Sequence, residues 1–331
     1  MADAAPDRRD GEEGVDENSG HANGQYRRLL VTGRSRSGTT LVTRLLDAQP
    51  GMHVANDILQ TPFDAARNLA NRSFASHLTP LQREALVEGI AVELDADERW
   101  GHEEVERFRQ AVNVEPISTL DTVYEAATRA MHLRSTDTDV VGVWIGHKRN
   151  SVGDVLPALL RDTDVAVVYV LRDVRDVVHS MQGFCAKNGV PFRPKTIVNG
   201  WVRETRMLDT LSRHPCLHVL RFEDFVREPA RACERLATFL GVPVEHDAPM
   251  SDASGNAWVS NSTFEDVSTS FDPSVLQRWR ATPSDAVGYA QTRATRLLAG
   301  HGYEGSSATS VRVRAIATID NAKFWLRRGR R

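Results

Sequence analysis

Cysteine is scarce. The 331 residues hold three, Cys185, Cys216 and Cys233, and none forms a C-x-x-C pair. Nothing in that spacing supports a disulfide framework, so a reducing setting, the cytoplasm, is the expectation. Long apolar runs are also missing, and none reaches the length that spans a bilayer. The first residues are acidic and polar, which does not read as a secretory signal. Charge of one sign does not dominate either: 41 Lys and Arg stand against 44 Asp and Glu, so there is no overall basic field for nucleic acid. The eleven histidines lack metal-ligand spacing, and His102-Glu103-Glu104 has no second histidine to complete a zinc helix, so no metal is expected. There is no internal repeat. What is present is an ordinary globular balance, 41% hydrophobic and 26% charged, on a chain long enough for one large or two small domains with a real core.

Residues 1–24 are rich in Asp, Glu, Gly and Asn and poor in large apolar side chains, so burial cannot offset their ordering entropy and a disordered acidic tail is predicted. Beyond Tyr26, short apolar runs alternate with helical patterns. Strands are predicted at Leu29–Thr32, Val140–Ile145, Val165–Leu171 and His218–Phe222, and a short strand or extended segment at His53–Ala55. Helical spacing follows Leu41, and recurs over Leu78–Leu94 and Ile117–Leu133 within a mainly helical block at 59–139. It also follows Asp176, runs through Leu236–Leu240, and returns at Arg293–Leu298 before Gly300. Residues 244–272 read as loop, and a short helix starts between Val275 and Arg280. This alternation predicts an α/β, P-loop-like three-layer fold: a central parallel sheet, helices on both faces, and a helical insertion at 59–139 that shapes a substrate pocket. Ligands in such sheets sit at the carboxyl ends of the strands. Arg36, Lys148 and Arg172 all follow strand ends, which predicts one shared site.

The most informative stretch is Gly33-Arg34-Ser35-Arg36-Ser37-Gly38-Thr39-Thr40. It lies between a buried strand and a helix whose apolar face is Leu41, Val42, Leu45 and Leu46. Free N–H groups at a helix start bind phosphate, and glycines let a ligand come close. The spacing is nearly that of a P-loop, but Thr39 stands where the lysine belongs and the cation is Arg36. A second pattern sets Arg172 eight residues before Ser180 across a strand–helix junction. An arginine fork and a hydroxyl there suit a second phosphate. Surface pairing of Arg172 with Asp173 or Asp176 is the alternative.

Together, Gly33-x-x-Arg36-Ser37-Gly38-Thr39-Thr40-Leu41 and Arg172-Asp173-x-Arg175-Asp176-x-x-x-Ser180 resemble the two nucleotide motifs of sulfotransferases that use 3′-phosphoadenosine 5′-phosphosulfate. Leu220-Arg221-Phe222-Glu223-Asp224-Phe225 resembles that family's Arg-Tyr-Glu-Asp-Leu segment, with Phe222 in place of the tyrosine and so without its hydroxyl. The resemblance spans roughly Tyr26 to Tyr303. It implies a sulfotransferase domain over 25–305, followed by a basic tail over 306–331. It also implies that the first loop holds the 5′-phosphosulfate and that Arg172 with Ser180 holds the 3′-phosphate. Arg278, before Trp279, matches a late basic residue near the donor phosphates. Arginine at position 36 resembles the tyrosylprotein and bacterial carbohydrate or lipid branches. In the tyrosylprotein branch the acid matching Asp57 is the base and a lysine matches Lys148, although the context here is Lys148-Arg149-Asn150.

The implied reaction is in-line transfer of a sulfuryl group to an acceptor hydroxyl on a carbohydrate, lipid, small molecule or tyrosine. It needs a base and a cation on the leaving phosphate oxygen, and no metal. Asp57, Arg36 and Lys148 are the candidates. Asp57 also fits a helix cap before Ile58, and Lys148 also fits a solvated loop. A P-loop kinase or NTPase and a non-catalytic adaptor with a nucleotide fold are the rival readings. From Val311 onward, Arg312, Arg314, Lys323, Arg327, Arg328, Arg330 and Arg331 flank Ile316, Ile319, Phe324, Trp325 and Leu326. That stretch fits a peripheral helix on the anionic inner surface of a membrane, or a helix docked on the core.

Overall fold

The computed structural model describes residues 26–69, 72–96, 100–114, 117–132, 143–250, 271–304 and 315–319. The predicted acidic tail, the stretch 251–270 of the predicted loop and most of the basic tail lie outside the described residues.

Five strands, β1 (Tyr26–Gly33), β2 (Met52–Asn56), β3 (Val143–Lys148), β4 (Ala166–Leu171) and β5 (Leu217–Arg221), pair in parallel in the order β2-β3-β1-β4-β5. The helices are α1 (Thr39–Asp47), α2 (Thr61–Asn68), α3 (Pro80–Asp95), α4 (His102–Val114), α5 (Leu120–His132), α6 (Leu156–Asp162), α7 (Val174–Asn188), α8 (Pro194–Leu211), α9 (Phe222–Arg227), α10 (Pro229–Leu240) and α11 (Asp285–Gly300).

Strand alternation builds the layers. Leu29 and Val31 of β1 pack with α1, α9 and α10 on one face, while Leu30 points to the larger core beneath α2–α8 and α11. In β4, Val168 and Val170 take the first face and Val167, Tyr169 and Leu171 the second. Burial on both faces explains why β4 reads as an unbroken apolar run. β1 is central, with β3 on one side and β4 on the other. Its carboxyl end is therefore the switch point at which such sheets bind ligands.

Several boundaries differ from the sequence reading, as where β1 begins at Tyr26 rather than Leu29. The strand predicted at Val140–Ile145 runs instead over Val143–Lys148, because its last residues keep pairing: His147 aligns with Leu30 and Lys148 with Val31. Residues 140–142 lie outside the described residues. Apolarity alone hid this end, since His147 is fully buried between Phe63 and Tyr124 despite its polar ring. The helix start predicted over Val275–Arg280 is two 3-10 turns, Pro273–Val275 and Arg278–Arg280, separated where Gln277 takes a left-handed φ of 57°. The helix read at Arg293–Leu298 is the end of α11, which begins after the Ser284 cap. The strand and turn signals did not mark α6 and α8. Within the insertion, α3 starts where Thr79-Pro80 predicts, with Thr79 and Gln82 forming a reciprocal capping box.

Residues 315–319 make one helical turn, in which Ala317 is buried in the larger core and Ile316 packs beside it, while Ile319 is 53% exposed. Over this turn the docked alternative describes the chain.

Candidate functional site

The loop between β1 and α1 is shaped by its backbone. Ser37 N–H donates to Arg34 O at 3.0 Å, closing a turn around Ser35 and Arg36. Arg36 takes a left-handed φ of 72°, uncommon for a residue with a side chain. Gly38 precedes α1 at φ 88°, and a Cβ there would lie 2.1 Å from the Phe222 ring, so only glycine fits. Because Gly38 offers no side-chain cap, the first N–H groups of α1 face the loop without one. The Ser37 hydroxyl is buried and has no partner among the described residues. A helix start with an orphaned buried hydroxyl beside it suits an anion. Thr39, at the P-loop lysine position, donates its hydroxyl to Asn150 Oδ1 at 2.9 Å.

Arg34 departs from its neighbours. Its guanidinium leaves the loop and pairs with buried Glu204 at 2.8 Å, while Tyr169 OH donates to the other Glu204 oxygen at 2.6 Å. Gly200 lies directly under that guanidinium. What Arg34 can offer a ligand is therefore its backbone.

Arg172 closes the other side. Its fork donates to Arg36 O at 3.2 Å and to Val275 O at 2.8 Å, over the Phe222 ring at 4.6 Å. Its Nε is buried with no partner among the described residues. Surface pairing with the neighbouring acids is not what the geometry shows. Asp173 pairs with Arg175 at 2.6 Å, and Asp176 accepts Gln277 N–H at 2.8 Å. Ser180 Oγ accepts from Arg36 Nε at 3.1 Å, so Arg36, Arg172 and Ser180 meet. Arg278 is oriented by Ser274, whose carbonyl accepts from its Nε at 3.0 Å. His179, which the sequence reading passed over, stands next to Ser180. Its pKa is lowered by burial and then by the nearby charges of Arg278 and Arg172.

Lys148 is not a solvated loop residue. It ends β3 with its side chain 2% exposed, and Nζ donates to Asp57 Oδ2 at 2.6 Å and to Thr40 Oγ1 at 3.3 Å. Burial lowers its pKa, Asp57 pulls the other way, and the charges of Arg149 and Arg36 lower it further. Asp57 is not a helix cap, since α2 begins only at Thr61 after Gln60. It sits at a left-handed φ of 56°, its side chain 50% exposed. Both of its contacts, from Lys148 and from Asn56, fall on Oδ2. Among the described residues no hydrogen bond falls on Oδ1.

Like charges are thus pressed together. Burial and the neighbouring Arg172 both lower the pKa of Arg36, and Lys148 is repelled by Arg36 in turn. Such crowding persists where an anion is meant to sit. Among the described residues no group of three His, Cys, Asp or Glu gathers as a metal site, and no helix is long and apolar enough to cross a membrane.

The sequence model of the family described as "Sulfotransferase family" matches residues 28–246. Among solved structures, the chain resembles the sulfotransferase domain of the Synechococcus PCC 7002 olefin synthase, with 16% identity and a TM-score of 0.51 over 87% of this chain and 98% of that one. It also resembles the sulfotransferase domain from the curacin biosynthetic pathway, with 14% identity and a TM-score of 0.50 over 85% and 99%. No curated protein matches the sequence. The two structures share the fold, a central sheet flanked by helices.

Proposed function

The chain belongs to the sulfotransferase family, and from that membership we propose that it moves a sulfuryl group from 3′-phosphoadenosine 5′-phosphosulfate to an acceptor hydroxyl. The observation that carries the donor assignment is the gathering of Arg36, Lys148 and Arg172 around a helix start that holds the orphaned Ser37 hydroxyl. The loop residues Gly33 to Thr40, with Arg36, would hold the 5′-phosphosulfate. Arg172, Ser180 and Arg278 would hold the 3′-phosphate. When bound, the donor supplies the sulfuryl group and a phosphate leaving group.

The chain's own residues supply the rest. Asp57 Oδ1 takes the proton of the acceptor hydroxyl, and its exposed face admits that acceptor. Lys148, steadied between Asp57 and Thr40, and Arg36 place positive charge where the leaving oxygen becomes negative. The acceptor bears a hydroxyl, on a carbohydrate, a lipid, a small molecule or a tyrosine.

Calorimetry with two nucleotides tests the donor site. Arg172→Ala is expected to weaken adenosine 3′,5′-bisphosphate by on the order of tenfold to a hundredfold, the worth of hydrogen bonds to a charged group. Adenosine 5′-phosphate, lacking the 3′-phosphate, should bind as before. Equal losses for both would remove Arg172 from the clamp.

Outside the docked turn at 315–319, the basic residues of the tail would make a reversible contact with anionic lipid, at about 1 kcal/mol for each Lys or Arg near the surface. Full-length protein should sediment with anionic vesicles at low salt and be released at high salt. Protein that stays in the supernatant at low salt would refute the contact.

A further inference from the structure

The family match ends at residue 246, yet three residues far beyond it grip the Arg172 corner. They follow α11 after its cap residue, His301. Gly302 turns the chain at φ 71°, and the turn is held by Tyr303 N–H donating to Leu298 O at 2.8 Å. Gly302 O then accepts from Arg221 Nη2 at 3.0 Å. Tyr303 OH donates to Glu223 Oε2 at 3.1 Å. Glu304 O accepts from Arg175 Nη1 at 2.6 Å, and the Glu304 carboxylate pairs with Arg280 at 2.9 Å. Three consecutive residues therefore touch the second nucleotide motif, the third motif and the turn that carries Arg278.

Glu223 joins these contacts to the donor site. Its second oxygen accepts the N–H of Asp173 at 2.9 Å, and Asp173 is the residue after Arg172. Trp201 Nε1 donates to Arg172 O at 2.8 Å, so both polar atoms of the one peptide group that joins Arg172 to Asp173 are tied. Glu223 is 3% exposed, and burial pushes its carboxyl up to about 7. A carboxylate so far out of water depends on the donors it receives. The Tyr303 phenol is buried too, and its pKa is raised by that burial and by Glu223, which keeps it protonated as a donor.

We propose that Tyr303 is a positioning residue for the 3′-phosphate clamp, acting through Glu223 and the Asp173 N–H to fix the backbone on which Arg172 stands. The proposal rests on the assignment of Arg172 to that phosphate. Tyr303→Phe is the informative change, because it keeps the ring that packs under the Arg221 guanidinium at 4.4 Å and removes only the hydroxyl. The variant should bind adenosine 3′,5′-bisphosphate about tenfold more weakly, as for one hydrogen bond to a charged group. Its affinity for adenosine 5′-phosphate should not change. In an Arg172→Ala background the same substitution should cost nothing further, since the two residues act as one unit. A purely structural role predicts equal losses for both nucleotides, and that result, or no loss for either, overturns the proposal. A wild-type protein that binds neither nucleotide would instead overturn the donor assignment, and this proposal with it.

Discussion

Asp57→Asn is expected to lower turnover by on the order of a hundredfold to ten-thousandfold, the range for losing a general base. Donor affinity should stay nearly unchanged, because a base acts on the acceptor and not on the nucleotide. A cap would behave differently, since asparagine caps about as well as aspartate; the start of α2 at Thr61 already removes that role. The substitution has a second, readable effect. Asp57 is the partner that holds the Lys148 pKa up against burial and the charges of Arg149 and Arg36. Without it those opposing causes act alone, so Lys148 loses its proton at lower pH than in the wild type. Residual activity in Asp57→Asn should therefore fall away on the alkaline side earlier than wild-type activity does. Steady-state kinetics across pH, with donor affinity measured by calorimetry, checks both parts. An Asp57→Asn enzyme of wild-type turnover would refute the base.

Arg36→Ala should abolish transfer with little loss of stability. Removing one charge from the leaving oxygen costs on the order of 3 kcal/mol in the barrier, about a hundredfold or more. The fold should tolerate it for two reasons. The guanidinium is held by Ser180 Oγ and lies 5.5 Å from the Phe184 ring, but it is also repelled by Arg172. Alanine at a left-handed φ of 72° is no more strained than arginine at the same place. Thermal melts near the wild-type midpoint, beside an assay with labelled donor, separate lost chemistry from lost fold. Wild-type turnover in this variant would sink the role given to Arg36.

The parts of the site that the sequence makes plain are those built within one strand–turn–helix unit. Gly33 to Thr40 and the Arg172–Ser180 spacing are local patterns, and each lies where a strand meets a helix. Their partners are distant and leave no local trace. Nothing near Arg34 announces that its guanidinium belongs to Glu204, 170 residues later. Nothing near Gly38 announces the Phe222 ring that bars any other side chain. Lys148 was legible as a cation after a strand, but its burial depends on pairing with β1 and β2, which composition does not show. The acceptor is least legible, because the insertion at 59–139 carries the period of helices and no code for a substrate.

The pairing of Arg34 with Glu204 also joins parts of the chain that are made far apart in time. The loop leaves the ribosome early, while the carboxylate that pairs with its Arg34 is made only after α7 and the first half of α8. A chain that stops before Glu204 has the complete motif and lacks the carboxylate that pairs with Arg34. In the folded chain that one contact ties the loop between β1 and α1 to α8.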